Sequence, residues 1–238
     1  MNDSIEKVLS GAEQWCVVQG DSRELVPQLC NATIGMIITD PPYGISHPCN
    51  FNSRGRGRLS ECRDYYDVAG DSESFDPEFL LALKVPTCLW GANWFADKLP
   101  PSGGWLVWDK ERPDDLDQAT CELAWTNFVK GVRRFKCLWN GMMRGGNDGP
   151  LVHPTQKPVV LMSWILGLRW TTKSLVLDPY CGSGPVGIAA VRSGRQYIGI
   201  ELVEEYCQIA RERIARAERE PGLFTLCKTN EALDVPLL

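Results

Sequence analysis

No stretch of about 18 uncharged apolar residues occurs in this 238-residue chain, so a membrane-spanning helix is not its organising feature. The opening residues, Met1 to Ser10, carry charges where a secretory leader needs an apolar run, and a soluble, cytoplasmic protein is expected. The ten cysteines include no Cys-x-x-Cys pair, the usual mark of structural zinc or dithiol redox chemistry. They read as reduced thiols that serve mostly as small core residues. His47, Cys49 and Cys62 have neither ligand spacing nor a fourth partner, so no metal is expected. Positive charge is not in surplus either. A net charge of -5 argues against a protein that coats nucleic acid nonspecifically, because phosphate neutralisation needs clustered Lys and Arg. Repeats and low-complexity tracts are absent, which sets aside solenoids and long linkers.

What is present fits one compact domain spanning 1–238, since 44% hydrophobic content fills a sizeable core. Short β-rich runs alternate with helical patterns. Strands are expected at Trp15 to Val18, Ile34 to Thr39, Thr87 to Gly91, Trp105 to Trp108, Phe135 to Trp139, Ser174 to Leu177 and Gln196 to Ile200. Helices are expected at Ser22 to Leu29, Pro77 to Leu83, Leu116 to Trp125, Lys157 to Leu168, Pro185 to Ser193 and Val203 to Ala217. In the last, Val203, Cys207, Ala210, Ile214 and Ala217 form an apolar stripe, and Glu212 and Arg216, four apart on the wet side, are placed to pair. The pattern predicts an α/β fold: a mixed, mostly parallel sheet flanked by helices, closed by an antiparallel hairpin that includes Phe135 to Trp139. Residues 44–74 show no period, and so long a connection points to a functional loop or a disordered one. Basic residues gather locally, as Arg54, Arg56 and Arg58 in that loop and as Lys130, Arg133, Arg134 and Lys136 further on.

Two segments carry chemistry. The first is Ile34 to Thr39 running into Asp40-Pro41-Pro42-Tyr43, which sets a carboxylate, a rigid turn and an aromatic ring at a strand's carboxyl end, where open α/β sheets bind ligands. These residue types suit attack by an amine whose lone pair is delocalised into a ring. The Asp40 carboxylate and the Pro41 carbonyl can hold both amino hydrogens and favour a pyramidal nitrogen, and Tyr43 offers a stacking face. Asp-Pro-Pro is also an ordinary strand-terminating turn. The second segment is Ser174 to Gly184, a hydrophobic strand entering a glycine-rich turn at Gly182 and Gly184, with Pro185 suited to open the next helix. Downstream, the strand Gln196 to Ile200 ends at Glu201, a side chain able to accept ribose hydroxyls. Taken alone, this half fits a nucleotide-binding crossover equally well.

Together, Asp40-Pro41-Pro42-Tyr43, His153-Pro154-Thr155-Gln156-Lys157-Pro158 and Asp178-Pro179-Tyr180-Cys181-Gly182-Ser183-Gly184, in this order, resemble the motif set of the beta group of S-adenosylmethionine-dependent DNA amino-methyltransferases. The resemblance implies a Rossmann-like methyltransferase fold and transfer of a methyl group to adenine N6 in DNA. Asp178, Tyr180, Gly182, Ser183 and Gly184 would surround the methionine part of the cofactor, Glu201 its ribose, and Asp21 and Ser22 the adenine end. Thr155, Gln156 and Lys157 would close the cofactor site, and Asp40, Pro41, Pro42 and Tyr43 would hold the flipped base. Asp21 also reads as a helix N-cap, His153 as structural, and Cys181 as a small filler. The sequence departs from the family at Pro185, where Thr is common. Another departure is the short stretch Gly145 to Val152, where many relatives carry a large target-recognition insert. DNA reading would then fall to Arg54, Arg56 and Arg58. Cytosine N4 is an alternative acceptor, although such relatives usually have Ser in place of Asp40. RNA or protein amines and a nonenzymatic nucleotide-binding module are further alternatives. A monomer or homodimer, in a restriction-modification or phage setting, is the expected context.

Overall fold

The computed structural model describes residues 2–30, 32–45, 71–113, 119–140, 143–144, 148, 151–168 and 174–220. The chain opens with α1 (Asp3–Leu9), capped by the Asn2 side chain, then β1 (Trp15–Gln19), α2 (Ser22–Leu25) with a following 3-10 turn, and β2 (Ile34–Thr39). Further along the chain come α3 (Glu78–Leu81), β3 (Thr87–Trp90), β4 (Gly104–Asp109), β5 (Cys121–Thr126) and β6 (Val132–Lys136). The short strands β7 (Trp139–Asn140) and β8 (Met143–Arg144) pair with each other. The last third is α4 (Val159–Gly167), β9 (Leu175–Asp178), α5 (Pro185–Arg192), β10 (Tyr197–Glu201) and α6 (Glu204–Arg219).

Among the described residues eight strands form one sheet in the order β1-β10-β9-β2-β3-β5-β4-β6, in which only β5, between β3 and β4, runs against its neighbours. One face carries a core built with α4, α5 and α6 around Met36, Ile38, Trp90 and Trp108; the other packs α1, α2 and α3 over Ile37, Leu89, Leu177 and Ile198. Such two-sided burial explains why β2, β3, β9 and β10 read as nearly continuous apolar runs. Within β2 a bulge between Ile34 and Met36 resets the register on β9. Beyond it Ile37 lies opposite Leu177, so the carboxyl ends of β2 and β9 finish side by side, one at Thr39 and the other at Asp178.

The mixed, mostly parallel sheet agrees with the expectation, and three local expectations do not. Leu116 to Trp125 was expected to be helical, yet Cys121 to Thr126 is the antiparallel strand β5, and 114–118 lie outside the described residues. Cross-strand pairing with β4 over the whole strand, Trp105 with Trp125 and Trp108 with Glu122, outweighs the weak helical spacing. Phe135 to Trp139 is likewise not one hairpin strand. Phe135 belongs to β6, an edge strand parallel to β4, and the hairpin begins only at Trp139, after the chain has turned along the Asp109 and Lys110 carbonyls. On α6 Cys207, Ala210, Ile214 and Ala217 are buried as expected, with Val203 half-buried just ahead of the helix, but Arg216 pairs with Glu220 at 2.8 Å while Glu212 accepts from Gln208. Helix α1 carried no clear signal in the sequence.

Gly187 on α5 sits where a Cβ would come within 2.4 Å of Ile214 and 2.7 Å of the Tyr197 ring. Alanine there gains up to about 1 kcal/mol of helix propensity but overpacks the α5–α6 contact by about 1–3 kcal/mol. Gly187→Ala is therefore expected to lower the urea midpoint by an amount worth about 1–2 kcal/mol with m unchanged; a raised midpoint would contradict this packing.

Candidate functional site

The register of β2 against β9 brings the two chemistry-bearing segments together. Thr39 Oγ1 donates to the Asp178 carboxylate at 2.7 Å and accepts from the Tyr180 amide at 3.1 Å, so one hydroxyl clips the end of β2 to the turn after β9. Around this clip opens a cleft of about 530 Å³, within the ordinary range for small-ligand sites. Its wall includes Asp40, Pro41, Pro42 and Tyr43 on one side and Asp178, Tyr180, Gly182, Ser183 and Glu201 on the other. Asp21, Ser22, Thr155, Gln156 and Lys157 complete the rim and floor. Of the residues expected in the site, Gly184 is not in that wall. It has φ +76 and faces Ala210 and Ile214, so it shapes the turn and lets α6 approach. Arg54, Arg56 and Arg58, with His47, Cys49 and Cys62, lie outside the described residues.

Each wall residue is held by local structure. Asp21 caps α2 by accepting from the Arg23 amide at 2.8 Å and pairs with the Arg23 guanidinium. Ser22 donates to the Pro179 carbonyl, which ties this capped turn to the glycine turn. Glu201 accepts from the Gly182 amide at 2.9 Å and from Val203 at 3.0 Å. The His153 ring lies over Gly182 and against Tyr206, and burial, with Lys157 and Arg213 nearby, depresses its pKa to about 4, so it stays neutral near pH 7. Gln156 accepts from Val152 and Ser183 through Oε1, and its buried Nε2 has no partner among the described residues.

Lys157 was expected on the cofactor side but projects to Asp40. Its ammonium pairs with the Asp40 carboxylate and, at 3.2 Å, with Glu122 of β5, and it lies 5.6 Å from the centre of the Trp90 ring. Tyr43 also donates to Asp40. Tyr43 packs its ring on Gly91, where φ is +67 and a Cβ would overlap the ring. Burial raises the Asp40 carboxyl despite the opposing Lys157 charge. Burial alone pulls the Lys157 ammonium down, but Asp40 and Glu122 outweigh it and the net shift is upward. Thr39, Glu122 and Lys110 escaped the sequence reading. Thr39 had a signal, a hydroxyl at the last position of the strand before Asp40, whereas Glu122 was hidden by the helical reading of its segment.

The donor set decides what fits. Asp21, Asp40, Asp178 and Glu201 line the cleft, a field that favours a cation. The Gly182 amide, which a phosphate-binding turn would offer to its ligand, already donates to Glu201. A sulfonium and an ammonium on a nucleoside, with no phosphate, suit this lining, and the unpartnered Gln156 Nε2 remains available to a ligand acceptor. S-adenosylmethionine therefore fits these residues.

Comparison with known proteins agrees. Residues 107–212 match the DNA methylase family of N6 and N4 methyltransferases. The chain is 25% identical to the type II methyltransferase M2.DpnII of Streptococcus pneumoniae, with 86% of this chain and 90% of that one covered. It is 24% identical to M2.LlaDCHI of Lactococcus lactis subsp. cremoris, covering 85% and 90%. The M1.HpyAVI–SAM complex superposes with a TM-score of 0.54 at 22% identity, covering 84% of this chain and 99% of that one. The cytosine-N4-specific PvuII DNA methyltransferase reaches 0.54 at 14% identity, covering 84% and 86%. The fold is that of the S-adenosylmethionine-dependent methyltransferases.

Burial, opposed by the Thr39 and Tyr180 hydrogen bonds, pushes the Asp178 carboxyl up to about 7. A cationic ligand favours the ionised form, so binding releases a proton below that pH, and affinity should rise with pH up to about 7 and level off above it. Calorimetric titration of S-adenosylmethionine from pH 5 to 9 is expected to show this slope and to lose it in Asp178→Asn; a flat wild-type profile would contradict the assignment.

Proposed function

We infer from membership of the beta group of S-adenosylmethionine-dependent DNA amino-methyltransferases that this chain methylates adenine N6 of a base turned out of duplex DNA. The single observation that carries the reading is the Thr39 clip, which sets the Asp40 carboxylate and the Asp178–Ser183 turn on opposite walls of one cleft. The fold does not choose between adenine and cytosine, since a cytosine-N4 enzyme shares it. Asp40 does favour adenine, because the related cytosine enzymes usually carry Ser at that position.

The Asp178 to Ser183 turn, with Glu201 for the ribose and Asp21 and Ser22 for the base, would hold S-adenosylmethionine, which would supply an electrophilic methyl group. The chain's own residues do the rest. Turning the base out costs a few kcal/mol, and stacking on Tyr43 offsets part of it. The Asp40 carboxylate and the Pro41 carbonyl accept the two N6 hydrogens, and Pro42 stiffens the turn that aims them. As the nitrogen gains a carbon it gives up one proton, and the half-buried Asp40 carboxylate, its pKa raised by burial, is placed to take that proton and pass it to water. Lys157 anchors Asp40 from behind.

The whole chain, 1–238, acts in this reading as one catalytic domain, with the loop around 44–74 and its Arg54, Arg56 and Arg58 against the DNA. Among the described residues no helix is long and apolar enough to cross a membrane, and a cytoplasmic protein is the reading that goes with a DNA substrate. The limited span between Arg144 and His153 favours a short or relaxed recognition sequence.

Incubation with methyl-labelled S-adenosylmethionine and mixed genomic DNA, followed by nucleoside analysis, should yield labelled N6-methyladenine. Asp40→Asn is expected to cut turnover by at least about 100-fold while binding of S-adenosylmethionine changes little. Label on N4 of cytosine, or substantial turnover without the carboxylate, would overturn the assignment.

A further inference from the structure

Asp40 and Lys157 end a row of charges whose other two members, Glu122 and Lys110, methyl transfer as described above does not use. Lys110 follows β4 and is 8% exposed, and its ammonium lies 2.5 Å from Glu122 Oε1. Glu122 Oε2 is buried and lies 3.2 Å from the Lys157 ammonium, which pairs in turn with Asp40. Two ammonium groups and two carboxylates thus alternate from the β4–β5 hairpin to the reactive loop. Among the described residues Glu122 is absent from the cleft wall, and it reaches Asp40 through Lys157.

An isolated Lys157–Asp40 pair would be self-contained. The ammonium would have one carboxylate, and that carboxylate, neutralised by an exclusive partner in a low-dielectric site, would be a weak acceptor for an amine. Glu122 changes this by claiming the other side of the ammonium, while Lys110 keeps the group as a whole neutral. We propose that Glu122 is a positioning residue for methyl transfer, holding Lys157 between two carboxylates so that Asp40 keeps its acceptor strength for the incoming amine. The proposal deepens the functional reading given above and rests on it.

The groups facing Asp40 come from several elements: Tyr43 from its own loop, Lys157 from the segment before α4, and Glu122 from β5, backed by Lys110. Cys88 of β3 and Asp178 of β9 also sense its charge. Lys157 and Lys110 outweigh the burial of Glu122 and hold its carboxyl at about 2, so it is ionised throughout the working range.

Glu122→Gln keeps the shape and an acceptor oxygen but removes one negative charge. Lys157 then turns wholly to Asp40, and kcat is expected to fall about tenfold or more with the KM for S-adenosylmethionine unchanged. Removing that neighbouring charge also lets Asp40 ionise more readily, so the acid limb of the kcat profile should move to lower pH. Glu122→Asp, which restores the charge, should return the limb to its wild-type position. A kcat that is retained, or one that falls while the limb stays put as in a merely structural role, would overturn the proposal. Failure of the functional reading is separable, because it shows as no labelled DNA from the wild-type enzyme. In that event carboxyl-carbon NMR titration of Asp40 in both proteins still decides the point, with a lower midpoint expected in Glu122→Gln and an unchanged one against it.

Discussion

The hydrogen-bond pair made by Thr39 holds this molecule's function together. Its hydroxyl gives its proton to Asp178 and receives one from Tyr180, and in doing so it locks the ends of two neighbouring parallel strands. The sheet order makes this possible. With β9 next to β2, a segment near residue 40 and another near residue 180 become two walls of the same opening, although the chain between them builds half the sheet. The glycine turn, the Ser22 link to Pro179 and the Glu201 contact with Gly182 all orient themselves from that junction.

The cleft is also where the structure accepts unfavourable local terms. Asp178 is 2% exposed with its carboxyl raised by burial, and the Asp40–Lys157–Glu122–Lys110 row places four ionic groups where apolar residues would pack more cheaply. Chemistry explains both. A buried carboxylate attracts a cationic donor more strongly than an exposed one, and within the row Lys157 opposes the burial that raises Asp40 while Glu122 keeps that ammonium from sealing it off. The same carboxylates disfavour phosphate-bearing ligands, which separates this site from the nucleotide-binding turns that its glycine pattern resembles.

Much of this was legible in the sequence because the signals were short-range. Ile34 to Thr39 and Leu175 to Asp178 are apolar runs that end in Asp-Pro, and the stop of a buried strand is easy to place. Asp21 as an N-cap and the stripe on α6 follow from local rules as well. What could not be read depended on tertiary partners. Cys121 to Thr126 becomes a strand because β3 and β4 flank it, and the pairing of Lys157 with Asp40 and with Glu122, which that strand brings, could not be read from its motif. Gly184 looked like a ligand contact by its motif and proves to be a packing position set by Ala210 and Ile214.

The most direct test is a crystal structure of the protein with S-adenosylhomocysteine and an adenine-containing oligonucleotide. The account predicts the sulfur in the cleft beside the Asp178–Ser183 turn, with the adenine amino nitrogen between it and the Asp40 carboxylate, close to the line of methyl transfer. A sulfur bound away from that turn, or an adenine that leaves Asp40 facing solvent, would contradict it.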